Sequence, residues 1–326
     1  MTQGFWKKLK KPILVLAPMA DVTDTAFRRI IAKYGKPDVT WTEFVSADGL
    51  ASAGRDVLLR DLEYTEAERP IVAQLFTSIP EHMEQVAKLC RERGFDGIDI
   101  NMGCPDRSIE KQGCGSAMIK NPESAKEIIR AAKRGAGDIP VSVKTRIGYN
   151  KNELDTWLPA LLSEEPAVVT IHARTRKEMS LVPARWEHIK EAVDIRNSLG
   201  SETLIIGNGD VLDREDALRK VDESGADGAM LGRAIFGNPW LFNPDVKKSD
   251  LSLSEQLRVM IEHTKAFESL LGDIKSFAIM KKHYKAYVNG FDGAKELRIK
   301  LFEEAENALQ VEAIIVDFLK NNPELQ

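Results

Sequence analysis

The chain has 326 residues, of which 43% are apolar and 29% charged, and its formal net charge is −4. This length suits one large domain and a smaller one, because single hydrophobic cores stop growing at roughly 250 to 300 residues. The acidic balance excludes a uniformly basic nucleic-acid-binding coat but leaves room for a local basic groove. The sequence contains no run of about 18 apolar residues, so it predicts no membrane-spanning helix.

The alternation of short apolar runs with helical periodicity predicts an α/β fold. Apolar runs typical of buried parallel strands occupy residues 13–17, 39–44, 71–76, 97–100, 141–145, 168–172, 204–206 and 228–231. Helical patterns fill several of the intervals, at residues 23–35 with Thr23 as the cap, 80–93, 122–135 and 157–162. Eight strands alternating with helices over about 235 residues predict a parallel (β/α)8 TIM barrel.

The pattern changes after residue 244, where strand signals end. Amphipathic helices are predicted at residues 252–270, 274–288, 294–302 and 311–319, with glycines between some of them. We therefore predict a barrel domain over residues 1–244 and a small C-terminal helical bundle over residues 245–326.

Three cysteines, Cys90, Cys104 and Cys114, occur at spacings that match no zinc-binding pattern, and an odd number forms no disulfide framework. This usage predicts reduced thiols, a cytoplasmic protein and no metal. Cys90 lies on the apolar face of the helix predicted at residues 80–93, so it is expected in the core.

The segment 97–118, GIDINMGCPDRSIEKQGCGSAM, predicts a reactive loop at the end of the fourth strand. Active sites of such barrels lie at the C-terminal ends of the strands. Asn101 and Cys104 fall at this end, and a glycine-rich turn with Cys114 at its centre follows. The alternative is that Cys104 only occupies a tight turn after a strand.

Loops after the seventh and eighth strands predict a phosphate site. Gly207–Asp210 and Gly232–Ala234 stand where such barrels hold phosphate with backbone amides, and Arg233 would add a bidentate contact. Lys144 and Gln74 suit the pyrimidine edge of a flavin, whose reduced form carries negative charge. No Gly-x-Gly-x-x-Gly follows a strand, so the pattern favours FMN. A structural ion pair for Lys144 and a plain turn at Gly232 remain the alternatives.

Motifs along nearly the whole chain resemble those of the tRNA-dihydrouridine synthase family. They are APMADVTD at 17–24, TEFVSADGL at 42–50, DINMGCP at 99–105, VKTR at 143–146, IHARTR at 171–176, NGD at 208–210, GRA at 232–234, and MKKHY at 280–284 with Tyr287, Gly290, Leu297 and Arg298. The resemblance implies an FMN-bound barrel that reduces particular uridines in tRNA, with NADPH as the usual reductant. From the sequence we also expect a monomer with no membrane and no metal partner, while the oligomeric state stays open.

The resemblance also assigns site residues by motif. The residues that would hold FMN are Pro18, Met19, Ala20, Gln74, Lys144, His172, Asn208, Gly209, Asp210, Gly232 and Arg233. Cys104 would donate a proton, Asn101 would contact uracil, and Arg174 and Arg176 are assigned to the RNA side. A basic and aromatic segment, formed by Lys281, Lys282, Tyr284, Lys285 and Tyr287, suits phosphate and stacking contacts. Its alternative is a solvated helix face.

The chemistry explains why an acid is needed. The C5=C6 bond of uracil is conjugated with the C4 carbonyl, so a hydride from flavin N5 should add at C6 and leave an enolate that needs a proton at C5. A thiol with an ordinary pKa of about 8.5 is protonated near neutrality and can supply that proton. Cys104 is the candidate, and Cys114, in the same loop, is the alternative. The uridine itself must be turned out of the folded RNA.

Two departures from the family pattern lie near His172: Ala173 replaces a glycine, and segment 179–186, MSLVPARW, lacks the usual aromatic residue and glycine. They concern the rim of the flavin or RNA site. Two other functions therefore stay open. One is an FMN-dependent barrel reductase of a small free pyrimidine or enone, and the other is a tRNA-binding protein without catalysis.

Overall fold

The computed structural model of the protein describes residues 3–325, and at its centre is one parallel sheet of eight strands. The strands are β1 (Ile13–Leu16), β2 (Thr40–Ser46), β3 (Ile71–Phe76), β4 (Gly97–Asn101), β5 (Val141–Arg146), β6 (Val168–His172), β7 (Leu204–Asn208) and β8 (Gly228–Leu231). β1 pairs with β8, and a bridge between Val15 and Val39 joins β1 to the residue before β2. The sheet therefore curls into a barrel, which confirms the predicted (β/α)8 class.

Helices follow the strands and then form the C-terminal region. The α-helices are α1 (Thr25–Tyr34), α2 (Ala47–Leu50), α3 (Arg55–Leu59), α4 (Pro80–Glu92), α5 (Arg107–Glu110), α6 (Pro122–Ala136), α7 (Leu154–Leu162), α8 (Glu187–Ser198), α9 (Arg214–Ser224), α10 (Leu253–Leu271), α11 (Met280–Tyr287), α12 (Ala294–Glu303) and α13 (Ala308–Asn321). Short 3-10 turns lie at Gly4–Lys8, Arg60–Leu62, Glu66–Glu68, Gly115–Lys120, Arg233–Ile235, Lys248–Asp250, Phe277–Ile279 and Pro323–Leu325. Cys90 is completely buried in α4, as predicted.

Local hydrogen bonds correct some predicted boundaries. The cap of α1 is Asp24 rather than Thr23, because the Asp24 carboxylate accepts a hydrogen bond from the N–H of Phe27 at 2.9 Å. β7 continues two residues beyond the predicted end and reaches Asn208, which stays in register with His172 of β6. The helix predicted at residues 274–288 starts later, since a 3-10 turn capped by Ser276 precedes α11.

Contacts within the chain define two compact units. The helical unit consists of Ala20–Pro37, Tyr64–Glu68 and the chain from Arg233 onward, and the barrel unit contains the rest of the described residues up to Gly232. Helix α1 therefore belongs with α10 to α13, although it follows the first barrel strand. This grouping rests on contacts alone, and the functional boundary predicted at residues 244 and 245 stays a prediction.

Each unit has its own core. In the barrel unit, Trp6 and Trp41 lie 5.8 Å apart between ring centroids and pack with apolar side chains of β1, β3, β6, β7 and β8. In the helical unit, α1 packs against α10, and the core takes buried side chains from α10 to α13. Within residues 3–325, no helix is both long enough and apolar enough to cross a membrane.

Candidate active site

Predicted site residues of the barrel unit meet at the C-terminal ends of its strands. The Lys144 ammonium on β5 donates a hydrogen bond to Asn208 Oδ1 at the end of β7, over 3.3 Å. Asn101 Nδ2 at the end of β4 lies 3.4 Å from Gln74 Oε1 on β3. Four strands thus direct polar groups to one mouth, which is where barrels of this class carry their sites.

The loop after β4 holds Cys104 from two sides. Asn101 Oδ1 accepts hydrogen bonds from the N–H groups of Gly103, at 3.1 Å, and Cys104, at 2.9 Å. The Cys104 carbonyl accepts from the N–H and the hydroxyl of Ser116, both at 2.9 Å. Gly115 has a φ of +59°, and a Cβ there would lie 2.6 Å from the Cys104 carbonyl oxygen, so only glycine fits this return of the chain.

The Cys104 thiol is half-buried and protonated near neutral pH. Burial raises its pKa above the ordinary value, while the positive charges of Arg146 and Lys144 act in the opposite direction. A protonated thiol at a site that substrate can reach is what a proton donor requires.

The second thiol of the loop is placed differently. Cys114 is completely buried, burial raises its pKa to about 11, and its thiol donates to the carbonyl of Gln112 over 3.5 Å. A substrate cannot reach a side chain without exposed surface. The geometry therefore favours Cys104 over Cys114 as the acid.

Lys144 keeps its charge in a poorly solvated position. Burial and the charge of Arg146 lower its pKa, whereas Asp99 and Cys104 raise it, and the resulting pKa is about 8. At neutral pH the Lys144 side chain is therefore still mainly protonated and positively charged. It can stabilise negative charge that develops in the mouth of the barrel.

His172 is held in one tautomer by Arg174. Its Nε2 lies 2.9 Å from Arg174 Nη1, and because a guanidinium only donates, Nε2 must be the acceptor and Nδ1 carries the proton. Arg174 also forms an ion pair with Asp210 and donates to the carbonyl of Val182 at 2.6 Å. It thereby joins the loop after β6 to the loop after β7.

This placement corrects the prediction that Arg174 contacts RNA, because its side chain is buried and engaged with three groups of the protein. Arg176 differs, since it remains partly exposed while it pairs with Glu110 and lies 5.4 Å from the Tyr149 ring centroid. A contact between Arg176 and RNA stays a prediction.

The segment that departs from the family pattern is anchored at both ends. Arg146 donates to the carbonyl of Met179 at 3.0 Å, and the indole N–H of Trp186 donates to the carbonyl of Gly209 at 2.8 Å. The Trp186 ring also fills the space beside Gly207, where a Cβ would lie 2.4 Å from it. The segment therefore contributes to the wall of the site despite its unusual sequence.

The glycine-rich loop after β7 has a shape that side chains would block. Gly209 has a φ of +122°, and a Cβ there would lie 2.7 Å from Ala184 and 3.0 Å from His172. The Asn208 amide donates to the carbonyl of Met230 at 2.8 Å, which ties this loop to β8. Because glycine has no side chain, an oxygen-rich group such as phosphate can approach the backbone N–H groups of this loop closely.

The donor set fits FMN in its chemistry. The barrel unit supplies a cation at Lys144, a neutral imidazole at His172 and the glycine-rich loop at Gly209, all at one end of the barrel. The Gln74 amide is completely buried and bonded to Asp99 and Asn101, so its contact with FMN stays a prediction. Pro18 is buried and Met19 half-buried beyond β1, and a Cβ at Gly232 would lie 3.7 Å from the Met19 sulfur. Ala20 and Arg233 belong to the helical unit, and both are exposed.

The predicted RNA-binding segment of α11 divides into two faces. Lys282 and Lys285 are exposed, and Lys281 is partly exposed and donates to the carbonyl of Phe302 at 2.7 Å. Lys282 lies 3.7 Å from Asp21 Oδ2. These lysines present positive charge on the surface of the helical unit.

Tyr284 and Tyr287 lie on the opposite face and correct the prediction of stacking contacts. Both rings are buried in the core of the helical unit, and the Tyr284 hydroxyl lies 3.2 Å from that of Thr264. A ring without exposed surface cannot stack on an RNA base. Their role is packing.

Arg146 and Asp99 belong to the site, although they were not predicted as site residues. Arg146 is buried and donates to the carbonyls of Gly103, at 2.7 Å, and Thr175, at 3.1 Å, so it connects the loops after β4 and β6. The period of two along β5 places it on the same side as Lys144, which could have indicated it. Among residues 3–325, no cluster of His, Cys, Asp and Glu side chains could hold a metal.

The fold and the site together define a (β/α)8-barrel protein with a thiol, a lysine and a glycine-rich loop at its C-terminal mouth. Similar folds occur in histamine dehydrogenase from Rhizobium sp. 4-9, at 13% identity and a TM-score of 0.53, over 79% of this chain and 48% of that one. A 2-naphthoyl-CoA reductase has the same TM-score at 13% identity, over 71% of this chain and 49% of that one. These likenesses concern the fold.

Sequence comparison is more specific. A model of the dihydrouridine synthase (Dus) family matches residues 15–322. The chain is 39% identical to the probable tRNA-dihydrouridine synthase 2 of Bacillus subtilis (strain 168) over 321 residues, 98% of this chain and 97% of that protein. It is 37% identical to the probable tRNA-dihydrouridine synthase of Staphylococcus aureus (strain COL), over 98% of this chain and 96% of that protein. The chain belongs to the dihydrouridine synthase family.

Proposed function

We propose that the protein reduces uridine in tRNA to 5,6-dihydrouridine, with FMN as its cofactor and NADPH as its reductant. The observation that carries this proposal is the half-buried Cys104 thiol, fixed at the barrel mouth near the positive charges of Lys144 and Arg146, in a chain of this family. The relatives at 37% to 39% identity are named as tRNA-dihydrouridine synthases.

The residues divide the chemistry between them. When bound, FMN would supply the hydride that adds to C6 of the uracil ring. Lys144 and Gln74 would hold the pyrimidine edge of the cofactor, and the loop at Gly209 would hold its phosphate. Cys104 would then deliver the proton from its sulfur to C5, and the charges of Arg146 and Lys144 would stabilise the thiolate that remains.

The helical unit would bind the RNA. The lysines of α11 offer a basic surface, and attraction to phosphate is the main source of affinity for nucleic acid. We assign catalysis to residues 1–244 and RNA binding to residues 245–326. The second candidate, a reductase of a small free pyrimidine, is favoured by one observation: the two tyrosines predicted to stack on RNA are buried.

The test begins with the absorbance spectrum of the purified protein, which should show bound flavin. The flavin is then reduced with NADPH and mixed either with unmodified tRNA or with free uridine. We expect rapid reoxidation by tRNA and little by uridine. Equal reoxidation by uridine would support the second candidate, and a protein that purifies without flavin and binds none would contradict both.

A further inference from the structure

Asp99 is a carboxylate in the middle of β4, and its side chain is completely buried. Burying a carboxylate is costly unless its oxygen atoms are hydrogen-bonded. Here Oδ2 accepts from Gln74 Nε2 at 2.7 Å, and Oδ1 accepts from the Ser142 hydroxyl at 2.5 Å. The strand register produces this arrangement, because Gln74, Asp99 and Ser142 are direct partners across β3, β4 and β5.

The charge state of Asp99 matters for what it can do. Burial raises its pKa, the hydrogen bonds from Ser142 and Gln74 and the charge of Lys144 lower it, and the resulting pKa is about 6. The carboxylate is therefore mainly ionised at neutral pH. An ionised carboxylate only accepts hydrogen bonds.

The bond to Asp99 fixes the orientation of two amides in series. Gln74 must turn its NH2 group to the carboxylate, so its oxygen faces Asn101 Nδ2, 3.4 Å away. Asn101 must then turn its own oxygen to the N–H groups of Gly103 and Cys104, at 3.1 and 2.9 Å. All donors in this series of hydrogen bonds point towards Asp99: the Cys104 N–H donates to Asn101, Asn101 donates to Gln74, and Gln74 donates to Asp99.

We propose that Asp99 is a positioning residue for proton transfer: through Gln74 and Asn101 it fixes the backbone of Cys104 and thereby the direction of the thiol. This role rests on the proposed function of Cys104 as the proton donor. Asp99 lies below the mouth of the barrel and would act on Cys104 through the two amides, while its charge also raises the pKa of Lys144.

Two substitutions at Asp99 separate orientation from charge. Asp99→Leu removes both acceptors, and reoxidation of the reduced flavin by tRNA should slow by about tenfold to hundredfold, because small displacements of reacting groups have effects of this size. Asp99→Asn should stay within about threefold of the parent, since its oxygen can still accept from Gln74. Its NH2 group can donate to Ser142, whose hydroxyl can turn to the Ile98 carbonyl, 3.3 Å away.

The KM for tRNA should remain at the parent value in both variants, and reoxidation rates are compared per bound flavin because Gln74 is also assigned to the cofactor. Ser142→Ala is the matched control, because it removes the hydrogen bond to Asp99 that does not lead to Cys104. Its rate of reoxidation by tRNA should stay close to that of the parent. Two results would overturn the proposal. One is an Asp99→Leu protein with the parent rate, and the other is an Asp99→Asn protein as slow as Asp99→Leu, which would assign the effect to charge.

A second pair of variants changes hydrogen-bond donors and acceptors in this series while keeping the shapes of the side chains. It tests the proposal even if Asp99→Leu fails to fold. Asn101→Asp places an oxygen against Gln74 Oε1 and should slow reoxidation by tRNA. Adding Asp99→Asn lets the Gln74 amide reverse, so that it donates to position 101 and accepts from position 99. The double variant should be about tenfold faster than Asn101→Asp alone, a coupling expected of neighbours in one network. A double variant that is no faster overturns the proposal.

The parent protein distinguishes this proposal from the proposed function. If tRNA does not reoxidise the flavin of the parent, the proposed function is wrong before any variant is compared. If the parent reacts and the variants at position 99 do not follow the expected pattern, only the positioning role is wrong.

Discussion

Two groups of buried polar side chains, one in each compact unit, differ in their hydrogen bonding. In the barrel unit, Asp99, Gln74 and Asn101 are buried and hydrogen-bonded in series. In the helical unit, His263 and His283 are completely buried, and their ring nitrogens have no hydrogen-bond partner in the part of the chain that the structure describes. Buried polarity holds a reactive group in the first case, whereas in the second it is packed as if it were apolar.

The histidines of the helical unit lie in an aromatic cluster. Their ring centroids are 4.5 Å apart, and Phe27 of α1 stacks on His263 at 4.6 Å and meets His283 edge-on at 4.8 Å. The Tyr287 hydroxyl beside them also lacks a partner within residues 3–325. The interior of the barrel is therefore where chemistry is expected, while the helical unit contributes through its surface.

The largest expected effect comes from removing the Cys104 thiol, at the end of the hydrogen-bonded series in the barrel unit. Cys104→Ala should leave reduction of the flavin by NADPH unchanged, because that step does not use the thiol. Reoxidation by tRNA should slow by about a hundredfold to ten-thousandfold, the usual contribution of general acid catalysis. Single-turnover mixing of the reduced protein with tRNA measures this rate.

Two other cysteine variants sharpen this result. Cys104→Ser should be nearly as slow as Cys104→Ala, since a hydroxyl is a far weaker acid than a thiol. Cys114→Ala should have a mild effect because its thiol is buried away from substrate. A fast Cys104→Ala protein together with a slow Cys114→Ala protein would move the acid to Cys114.

Lowering the pH should destabilise the helical unit more than the barrel unit. Burial keeps the pKa of His263 well below its ordinary value and that of His283 at about 3. Below about pH 6.5 the unfolded chain binds protons that the folded helical unit excludes, so stability falls as pH falls. Each histidine costs up to about 1.4 kcal/mol per pH unit, and for His283 the loss ends near pH 3. Asp99 acts in the opposite sense, because its raised pKa lets the folded barrel bind a proton more readily than the unfolded chain.

Amide hydrogen exchange at about pH 7.5 and pH 5, corrected for the intrinsic rate, measures this difference. Protection should fall more in α10 to α13 than in the barrel strands. His283→Phe should restore part of it at the lower pH, whereas His188→Phe, at a half-buried histidine 2.8 Å from Glu191, should not. Equal changes in both units would show that the buried histidines do not govern acid stability.

The smallest expected effect concerns the surface of the helical unit. Replacing Lys281, Lys282 and Lys285 by Ala should weaken tRNA binding and flatten its salt dependence, by about one unit of the logarithmic slope for each phosphate that a lysine no longer neutralises. Flavin reduction by NADPH should not change. Binding measured across a salt titration gives the slope.

A triple replacement of Lys265, Lys300 and Lys320 makes the same change of charge elsewhere on the helical unit. Lys265 and Lys300 are paired with Glu312 and Asp317, so this control should affect tRNA binding less. If both triple variants behave alike, the α11 lysines form only a solvated helix face.

Sequence patterns predicted the barrel well because each strand signal is local. β3, β6 and β8 have the predicted bounds, since each is a short apolar run that the sequence shows directly. Arg174 could not be placed, because its partner Asp210 is 36 residues away and belongs to another loop. The faces of α11 could have been predicted, because Met280, His283, Tyr284 and Tyr287 recur at the helical spacing typical of a buried face.

The membership of α1 in the helical unit has a consequence for synthesis. Lys33 and Tyr34 at its end bond to Glu262 of α10, both at 2.6 Å, although 229 and 228 residues separate the partners along the chain. At about 5 to 20 residues per second, a ribosome needs roughly 10 to 50 seconds to make that interval. During this time Ala26 and Phe27 lack the C-terminal part of their core, so the nascent chain exposes an apolar helix that a chaperone could bind until the last quarter of the protein emerges.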